Sequence, residues 1–220
     1  MKTRIVILIG CLFLLNSCFL KSLQAFYVEE ATLYSEDFLG DWTDNKKGTW
    51  KISSFVSVYE KEFPTFNKSL TDEEKEIYDR YKKAYVIEHV EKGNEATFLS
   101  MLFTINGKLF ADFTPFYPEF ENENKLLQQH VISTHSVAKV ERLPDNRIQF
   151  KWLDESKIED LLIDEKLHIQ HEKMGADEDI VLTATSEELY AFLEKFEAAN
   201  EAAIWGSSDQ ITLTPLTTKP

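Results

Sequence analysis

Five histidines are the side chains best suited to bind a metal ion or transfer a proton: His89, His130, His135, His168 and His171. His168 and His171 fall on a strand predicted over residues 167–173, where a spacing of three places the two rings on opposite faces. His130 and His135 flank the start of another predicted strand, beside acids that we interpret as a solvated loop: Glu119, Glu121 and Glu123. No His-Glu-x-x-His motif occurs in the chain. We therefore predict no metal site and no cofactor.

Asp112 is the acidic residue that most needs an explanation, because it faces Met101 on an apolar face of a predicted hairpin. One interpretation is a ligand contact or a general base. The other, which we prefer, is an acid near a strand end that meets a backbone N–H group, a lysine or water. A hydrolase built on His135 with Ser133 or Ser136 would lack the Gly-x-Ser-x-Gly turn that exposes a nucleophile. We expect no enzymatic activity.

Cysteine chemistry is confined to the start of the chain, because the two cysteines are Cys11 and Cys18. Both lie in a segment that we interpret as a leader. The body that follows contains no cysteine, so it can form neither an intrachain disulfide nor a thiolate zinc site.

The charge balance is strongly acidic, with 38 acidic and 24 basic side chains and a formal net charge of −14. Residues 1–17 contain Lys2 and Arg4 and no acids, so their removal leaves 22 basic against 38 acidic residues, or −16. Nucleic acids and anionic membrane surfaces bind through basic patches. We therefore predict no nucleic-acid partner and interpret the charge as a solvated acidic surface.

Residues 1–17 have the features of a signal peptide. Lys2 and Arg4 form a basic start, and residues 5–15 form an apolar run too short to span a bilayer. The run ends in Leu15-Asn16-Ser17-Cys18, which resembles the lipobox of bacterial lipoproteins. The resemblance implies that Cys18 becomes the lipidated first residue and anchors the protein to the membrane. Because Phe19 is not Asp, it also implies the outer membrane in a Gram-negative cell.

A second processing site is also possible after Leu23-Gln24-Ala25. Cleavage there would discard Cys18 and give a secreted or periplasmic protein without an anchor. In the lipoprotein interpretation, residues 18–32 are predicted to form a lipidated tether that precedes the folded domain.

A predicted β-hairpin over residues 96–116 organises the rest of the chain. Its turn is Asn106-Gly107, and both central residues of a type I′ turn need the positive φ that Asn and Gly tolerate best. The two-residue loop fixes the register of four pairs: Phe103 with Phe110, Met101 with Asp112, Leu102 with Ala111, and Ser100 with Phe113. Apolar side chains occur on both faces, so we expect the hairpin to lie inside a sheet that is covered on both sides.

The other elements follow from alternation and capping signals. Further strands are predicted over 49–59 (with a bulge at Ser53-Ser54), 84–90, 130–142, 147–153, 167–173, 180–184 and 210–214. A short helical turn is predicted over 33–38. Helices are predicted over 72–83 after Thr71, over about 154–163 after Asp154, and over 186–199 after Thr185. Thr71 with Glu74, and Thr185 with Glu188, match capping boxes.

These elements predict a mainly β fold with a minor helical part. About nine short strands, mostly connected as hairpins, indicate an antiparallel sheet curled into a barrel. The helix over 186–199 buries one apolar stripe, so we expect it to pack outside the barrel. We predict one domain over residues 33–215, followed by a polar tail at 216–220.

Gly40-Asp41-Trp42 resembles the Gly-x-Trp motif that opens the first strand of lipocalin-like (calycin) barrels, where a short helical turn also precedes it. The end of the chain is similar too: a last barrel strand at 180–184, a helix at 186–199 and a short extra strand at 210–214. The chain also resembles a group of uncharacterised bacterial lipoproteins through FLGDW, LFADFTPF, STHSVAKVE and VLTATSEELYAFLEKF. The resemblance implies a lipocalin-like barrel and carries no known activity.

Six residues are predicted to line the barrel or to support it: Gly40, Trp42, Phe98, Leu102, Phe113 and Trp152. An eight-stranded barrel has room for packed side chains or for one small ligand. Our main hypothesis is a non-enzymatic barrel that binds a small apolar or amphipathic ligand. The alternative is an envelope interaction or assembly protein with a filled barrel, whose partner meets an exposed apolar patch formed by Ile77, Tyr78 and Tyr81.

Overall fold

The computed structural model describes residues 19–62, 71–116, 131–176, 178–199 and 204–216. Four predicted features lie outside these residues: the signal peptide with the lipid-attachment site at Cys18, His130, the acidic loop at 119–123, and residues 217–220 of the polar tail. No helix within the described residues is long and apolar enough to cross a membrane.

Eight antiparallel strands close into a barrel, which confirms the predicted fold class. They are β3 (Gly40–Asp44), β4 (Thr49–Ser54), β5 (Tyr85–Glu91), β6 (Asn94–Ile105), β7 (Lys108–Pro115), β8 (Ser136–Arg142), β9 (Ile148–Leu153) and β12 (Trp205–Pro215). Closure comes from β12, which pairs with β9 on one side and with β3 on the other. The architecture is compatible with a lipocalin-like barrel.

Four further strands lie outside this barrel wall. The short strand β2 (Thr32–Leu33) pairs with β6. A separate three-stranded sheet contains β1 (Lys21–Ser22), β10 (His171–Met174) and β11 (Asp179–Leu182). In that sheet β1 runs parallel to β11, and β10 runs antiparallel to it.

The helices within the described residues are α1 (Phe55–Glu62), α2 (Asp72–Tyr81), α3 (Glu155–Ile163) and α4 (Ser186–Ala198). Both predicted capping boxes are confirmed, at Thr71 with Glu74 and at Thr185 with Glu188. Asp154 caps α3 by accepting hydrogen bonds from the backbone N–H groups of Ser156 and Lys157. Short 3₁₀ turns at Glu29–Ala31 and Glu36–Phe38 precede β2 and β3.

The predicted central hairpin is confirmed in its turn and in its register. Asn106 and Gly107 have φ of 50° and 75°, as a type I′ turn requires. All four predicted pairs occur, from Phe103 opposite Phe110 to Ser100 opposite Phe113. Because side chains alternate across the sheet, this register sends one set of apolar residues into the barrel and the other set outward.

Three apolar clusters hold the molecule together. One fills the barrel interior and includes Trp50, Phe113 and Phe150. A second lies between the barrel wall and helices α3 and α4, and a third packs beneath α1 and α2. The barrel wall is therefore covered on two outer faces, which explains why the central hairpin is apolar on both sides.

Three predictions about the strands are wrong. The strand predicted over 49–59 ends at Ser54, and α1 begins at Phe55. Phe55, Val58 and Tyr59 have the i, i+3, i+4 spacing of a helix and pack together against the third cluster. The strand around 180–184 belongs to the small sheet and not to the barrel. The predicted extra strand at 210–214 is instead part of β12, which closes the barrel.

The predicted tether is also corrected by the structure. Within residues 19–32, Leu20 and Phe26 are fully buried, and Lys21–Ser22 form the strand β1. Leu20 N–H donates to the Leu153 carbonyl at 3.2 Å, and Ser22 and His135 exchange two backbone hydrogen bonds. From Phe19 onward, this segment is therefore part of the folded body.

Candidate functional site

Most of the residues predicted to line the barrel do meet inside it. Trp42, Leu102, Phe113 and Trp152 are buried in the interior cluster, and Phe98 packs against that cluster. They come from four different strands, whose register places their side chains on the inner face. Gly40 is different, because it lies exposed at one mouth of the barrel with φ of 128°.

Aromatic rings in direct contact fill the barrel interior. The ring centroids of Trp50 and Phe150 are 6.1 Å apart, and those of Phe150 and Phe113 are 5.5 Å apart. Trp152 lies 5.5 Å from Phe113, and Phe19 stacks on Trp152 at 4.9 Å. Rings at these separations touch one another. Along this stack, aromatic side chains in contact occupy the barrel interior.

Asp44 is a buried acid that fixes the turn between β3 and β4. Its Oδ1 accepts hydrogen bonds from the N–H groups of Lys46 and Gly48, and its Oδ2 accepts from Trp50 Nε1 at 2.8 Å. Burial opposes ionisation, but these hydrogen bonds outweigh it and hold the pKa of Asp44 below its usual value. His89 Nε2 lies 3.6 Å from Asp44 Oδ2. A Cβ at position 48 would lie within 2.7 Å of both groups, so only glycine fits there.

A cavity of about 480 Å³ lies at the mouth that carries Gly40 and Trp42. Four of its charged groups form two ion pairs. Arg142 Nη1 lies 2.9 Å from Asp37, and the Arg142 guanidinium lies over the Phe38 ring at 4.8 Å. Arg147 pairs with Asp145 at 2.7 Å. The cavity therefore combines two ion pairs with apolar side chains such as Leu39 and Trp42.

Asp112 connects the start of the described chain to the outside of the barrel. Its Oδ2 accepts from the Phe26 N–H at 3.0 Å, and its Oδ1 lies 2.7 Å from His135 Nδ1. Burial raises the pKa of Tyr27, and the nearby Asp112 carboxylate raises it further. The interpretation of Asp112 as an acid that meets a backbone N–H group is the one that the structure shows.

Glu197 fastens helix α4 to the barrel. Its carboxylate is buried and lies 2.6 Å from Lys108 Nζ and 3.0 Å from Lys139 Nζ, and it accepts from Trp205 Nε1 at 2.9 Å. Burial opposes its ionisation, but the two lysines outweigh burial and hold the pKa of Glu197 below its usual value. Because these partners belong to β7, β8 and β12, the carboxylate fixes the position of α4 against three strands.

A larger groove lies outside the barrel, between α4 and residues 166–171. We call it the helix groove, and its volume is about 930 Å³. Its apolar part is formed by Leu162, Leu167, Ile169, Phe192 and Phe196. Its polar part includes Lys166, His168, His171, Glu188 and Lys195. The arrangement is an apolar surface edged by charged and polar groups, which is typical of sites for small amphipathic molecules.

The two histidines predicted to point apart both line this groove. The predicted strand over 167–173 begins only at His171, so the opposite-face rule does not apply to His168. His171 Nδ1 donates to the Ile169 carbonyl at 2.9 Å, which leaves Nε2 as its second polar atom. Within the described residues, no group of three or more His, Cys, Asp or Glu side chains could hold a metal ion.

Comparison of the chain with protein-family models, curated proteins and solved structures finds no significant match. The site must therefore be argued from its own geometry.

The apolar patch predicted on α2 does not form as a continuous surface. Ile77 is 48% exposed, but Tyr78 and Tyr81 turn toward the third cluster and pack against it. The helix groove, in contrast, was not foreseen from the sequence. Its only local signals are the alternation of Leu167 and Ile169 and the stripe on α4, and neither shows that the two segments face each other.

Proposed function

We propose that this protein is an exported, lipid-anchored binding protein that holds a small amphipathic ligand in the helix groove. One observation carries the proposal. The barrel interior is occupied by aromatic rings in contact, whereas the groove beside α4 leaves about 930 Å³ open. In this proposal the barrel is the scaffold, and the binding site lies on its outer face.

The size and the lining of the groove support this ligand class. Pockets for small molecules usually measure about 300–1,000 Å³ and combine apolar walls with a few polar groups. Phe192 and Phe196 supply an aromatic wall on α4, and Leu167 and Ile169 supply an aliphatic wall opposite. The charged groups stand at the edge, where a polar head could meet both them and water.

The packing of residues 19–26 supports processing before Cys18. Cleavage after Ala25 would remove Leu20, which is fully buried, and the strand β1 with its hydrogen bonds. Cleavage before Cys18 would leave all of these contacts intact. A lipid on Cys18 would then adjoin Phe19, whose ring stacks on Trp152, so the barrel would lie close to the membrane surface.

The buried acids support a role in binding and not in catalysis. In both Asp–His pairs the carboxylate already forms hydrogen bonds within the fold. Asp44 accepts from three donors, and Asp112 accepts from the Phe26 N–H and contacts His135. Each pair connects segments of the fold, and neither histidine lines the helix groove.

Native mass spectrometry of the protein purified gently from its own host would test this proposal. The wild type should carry a stoichiometric small molecule that organic extraction releases. Ala191 is an exposed residue of the groove, so Ala191→Trp should fill the groove with a large side chain. The fraction of protein that carries the ligand should fall at least about ten-fold, which corresponds to a loss of ~1.4 kcal/mol in binding free energy. Ala198→Trp, on the same helix but outside the groove, is the matched control and should retain the ligand.

Two outcomes would overturn the proposal. A ligand that remains bound to Ala191→Trp would lie elsewhere in the molecule. A ligand-free mass, with no gain in thermal stability across a panel of lipids and cofactors, would remove the binding function itself.

A further inference from the structure

We propose that the ligand of the helix groove is a single-chain amphiphile with an anionic head group, such as a long-chain carboxylate. This inference rests on the proposed function, because it names the chemistry of the molecule that would occupy that groove.

The groove is locally basic on a strongly acidic molecule. Lys166 and Lys195 line it, together with His168 and His171, and Glu188 is the only acid among its lining residues. The chain as a whole carries a formal charge of −14. A head group with one negative charge would be repelled by most of the surface and attracted to this groove.

The single acid is engaged in the fold. The Glu188 carboxylate accepts a hydrogen bond from the Thr185 N–H at 2.9 Å and so completes the capping box of α4. It also stands in the first turn of the helix, where the partial positive charge of the N-terminus stabilises it. Its charge is therefore largely compensated within α4.

The Lys195 ammonium lies away from that acid. Lys195 follows Glu188 by seven residues, which corresponds to about 10 Å along a helix at 1.5 Å per residue. Lys195 therefore stands in the last turn of α4, at the end of the groove where the helix terminates. Lys166 lines the same groove on the segment that faces α4.

An anion at this end meets more attraction than repulsion. The C-terminus of α4 carries a partial charge of about −0.5, which is smaller than the full charge of Lys195. Within the described residues Lys195 forms no ion pair. Lys166 is paired with Asp164 at 2.8 Å, so Lys195 supplies the charge that an anionic head group would meet.

The apolar part of the groove continues from these charges. Phe196 lies one residue after Lys195, and Phe192 lies one helical turn before Phe196, with ring centroids 4.8 Å apart. Leu162 and Leu167 line the same groove next to Lys166. A hydrocarbon chain would therefore run along the apolar walls while its head group meets Lys195.

Calorimetric titration with three probes would test the inference: decanoate, decyl glucoside and decyltrimethylammonium, each of which has a chain of ten carbons when the carboxyl carbon of decanoate is counted. Residues 19–220 are suitable for it, because every buried residue of the three clusters lies at or after Leu20. Decanoate should bind about ten-fold more tightly than decyl glucoside, the factor expected of one charge-assisted hydrogen bond. The cationic probe should bind most weakly.

Two variants assign the effect to the head-group end. Lys195→Gln should abolish most of the preference for decanoate, because it should weaken decanoate binding far more than the binding of decyl glucoside. Lys157→Gln, an exposed lysine on α3 outside the groove, should leave the affinities for all three probes unchanged. Thermal unfolding of both variants would verify that the fold is intact.

The outcomes separate this inference from the proposed function. If decyl glucoside binds as tightly as decanoate, and Ala191→Trp blocks both, the groove is a binding site but its ligand is not anionic. If the decanoate preference survives Lys195→Gln, the head group does not meet this lysine. If no probe binds, the proposed function fails together with the inference.

Discussion

The buried side chain of Asp44 determines the conformation of the turn between β3 and β4. The local sequence predicts that a turn occurs there but not which conformation it adopts. The segment from Asp44 to Gly48 contains several turn-forming residues, and the carboxylate of Asp44 selects one conformation by accepting from Lys46, Gly48 and Trp50. The glycine at position 48 is required because a side chain there would overlap Asp44 and His89. These two residues determine how β3 and β4 meet.

Replacing Asp44 with Asn should destabilise the protein by about 2 kcal/mol. The amide NH₂ group would replace one carboxylate oxygen and face a hydrogen-bond donor, which would then lack an acceptor. The depressed pKa means that the carboxylate stabilises the fold above its usual pKa of 3.8, and that this contribution is lost as the pH falls through the folded value. Urea unfolding should therefore show a difference between wild type and variant that is constant from about pH 7 to about pH 5 and decreases below about pH 4.

Asp41→Asn is the control for that experiment, since Asp41 is an exposed residue of the same strand. It should change the free energy of unfolding by less than about 0.5 kcal/mol. A difference for Asp44→Asn that is equally large at low and neutral pH would mean that the ionised carboxylate is not the stabilising group.

At the scale of elements, helix α4 depends on one buried carboxylate for its position on the barrel. Glu197→Ala should destabilise the protein by about 3 kcal/mol, because it leaves Lys139 and the Trp205 indole without their buried partner. Hydrogen exchange should also become faster in α4 than in the central hairpin. Glu194→Ala, an exposed acid on the same helix, should have an effect below about 0.5 kcal/mol. An equal effect of the two substitutions would contradict the role given to Glu197.

The elements that the sequence predicted well are those that local chemistry determines. Asn106-Gly107 fixes a hairpin and its register by turn geometry alone, and Thr71 and Thr185 mark helix starts through their own side-chain hydrogen bonds. The prediction that the strand continues through Phe55 is wrong. Over a few residues, the same apolar positions fit both the alternation of a strand and the spacing of a helix. Only contacts with residues distant in sequence, such as Ala84 and Met101, decide in favour of the helix.

The barrel-closing strand could not be identified for the same reason. Residues 180–184 and 210–214 are both short apolar segments near the end of the chain, and either could pair with β3. The pairing of β12 with β3 shows which segment closes the barrel. It places Leu213 opposite Asp44 and Pro215 opposite Trp42, positions about 170 residues apart in the sequence. The helix groove is a product of such long-range placement, since it exists only after α3, α4 and residues 166–171 have been positioned.

At the scale of the whole molecule, the chain forms one body in which the barrel supports a second layer of structure. The interior cluster closes the barrel, and the cluster beneath α3 and α4 includes residues from the start of the described chain as well as from its end. Leu20, Phe26 and Trp205 belong to that outer cluster. The N-terminal segment therefore contributes to the same layer that forms the helix groove.

In the lipid-anchored protein proposed above, this dependence predicts processing before Cys18. Intact-mass measurement on the protein from its own host should give a mature chain that begins at Cys18 and carries acyl groups. A chain that begins at Phe26 would lose Leu20, β1 and the hydrogen bonds between Ser22 and His135, so it should be far less stable than residues 19–220. Leu20→Ala alone should cost about 3 kcal/mol, whereas Gln24→Ala, an exposed residue of the same segment, should cost less than about 0.5 kcal/mol. A stable mature protein that starts at Phe26 would show that this segment is dispensable, and the membrane anchor proposed at Cys18 would be lost with it.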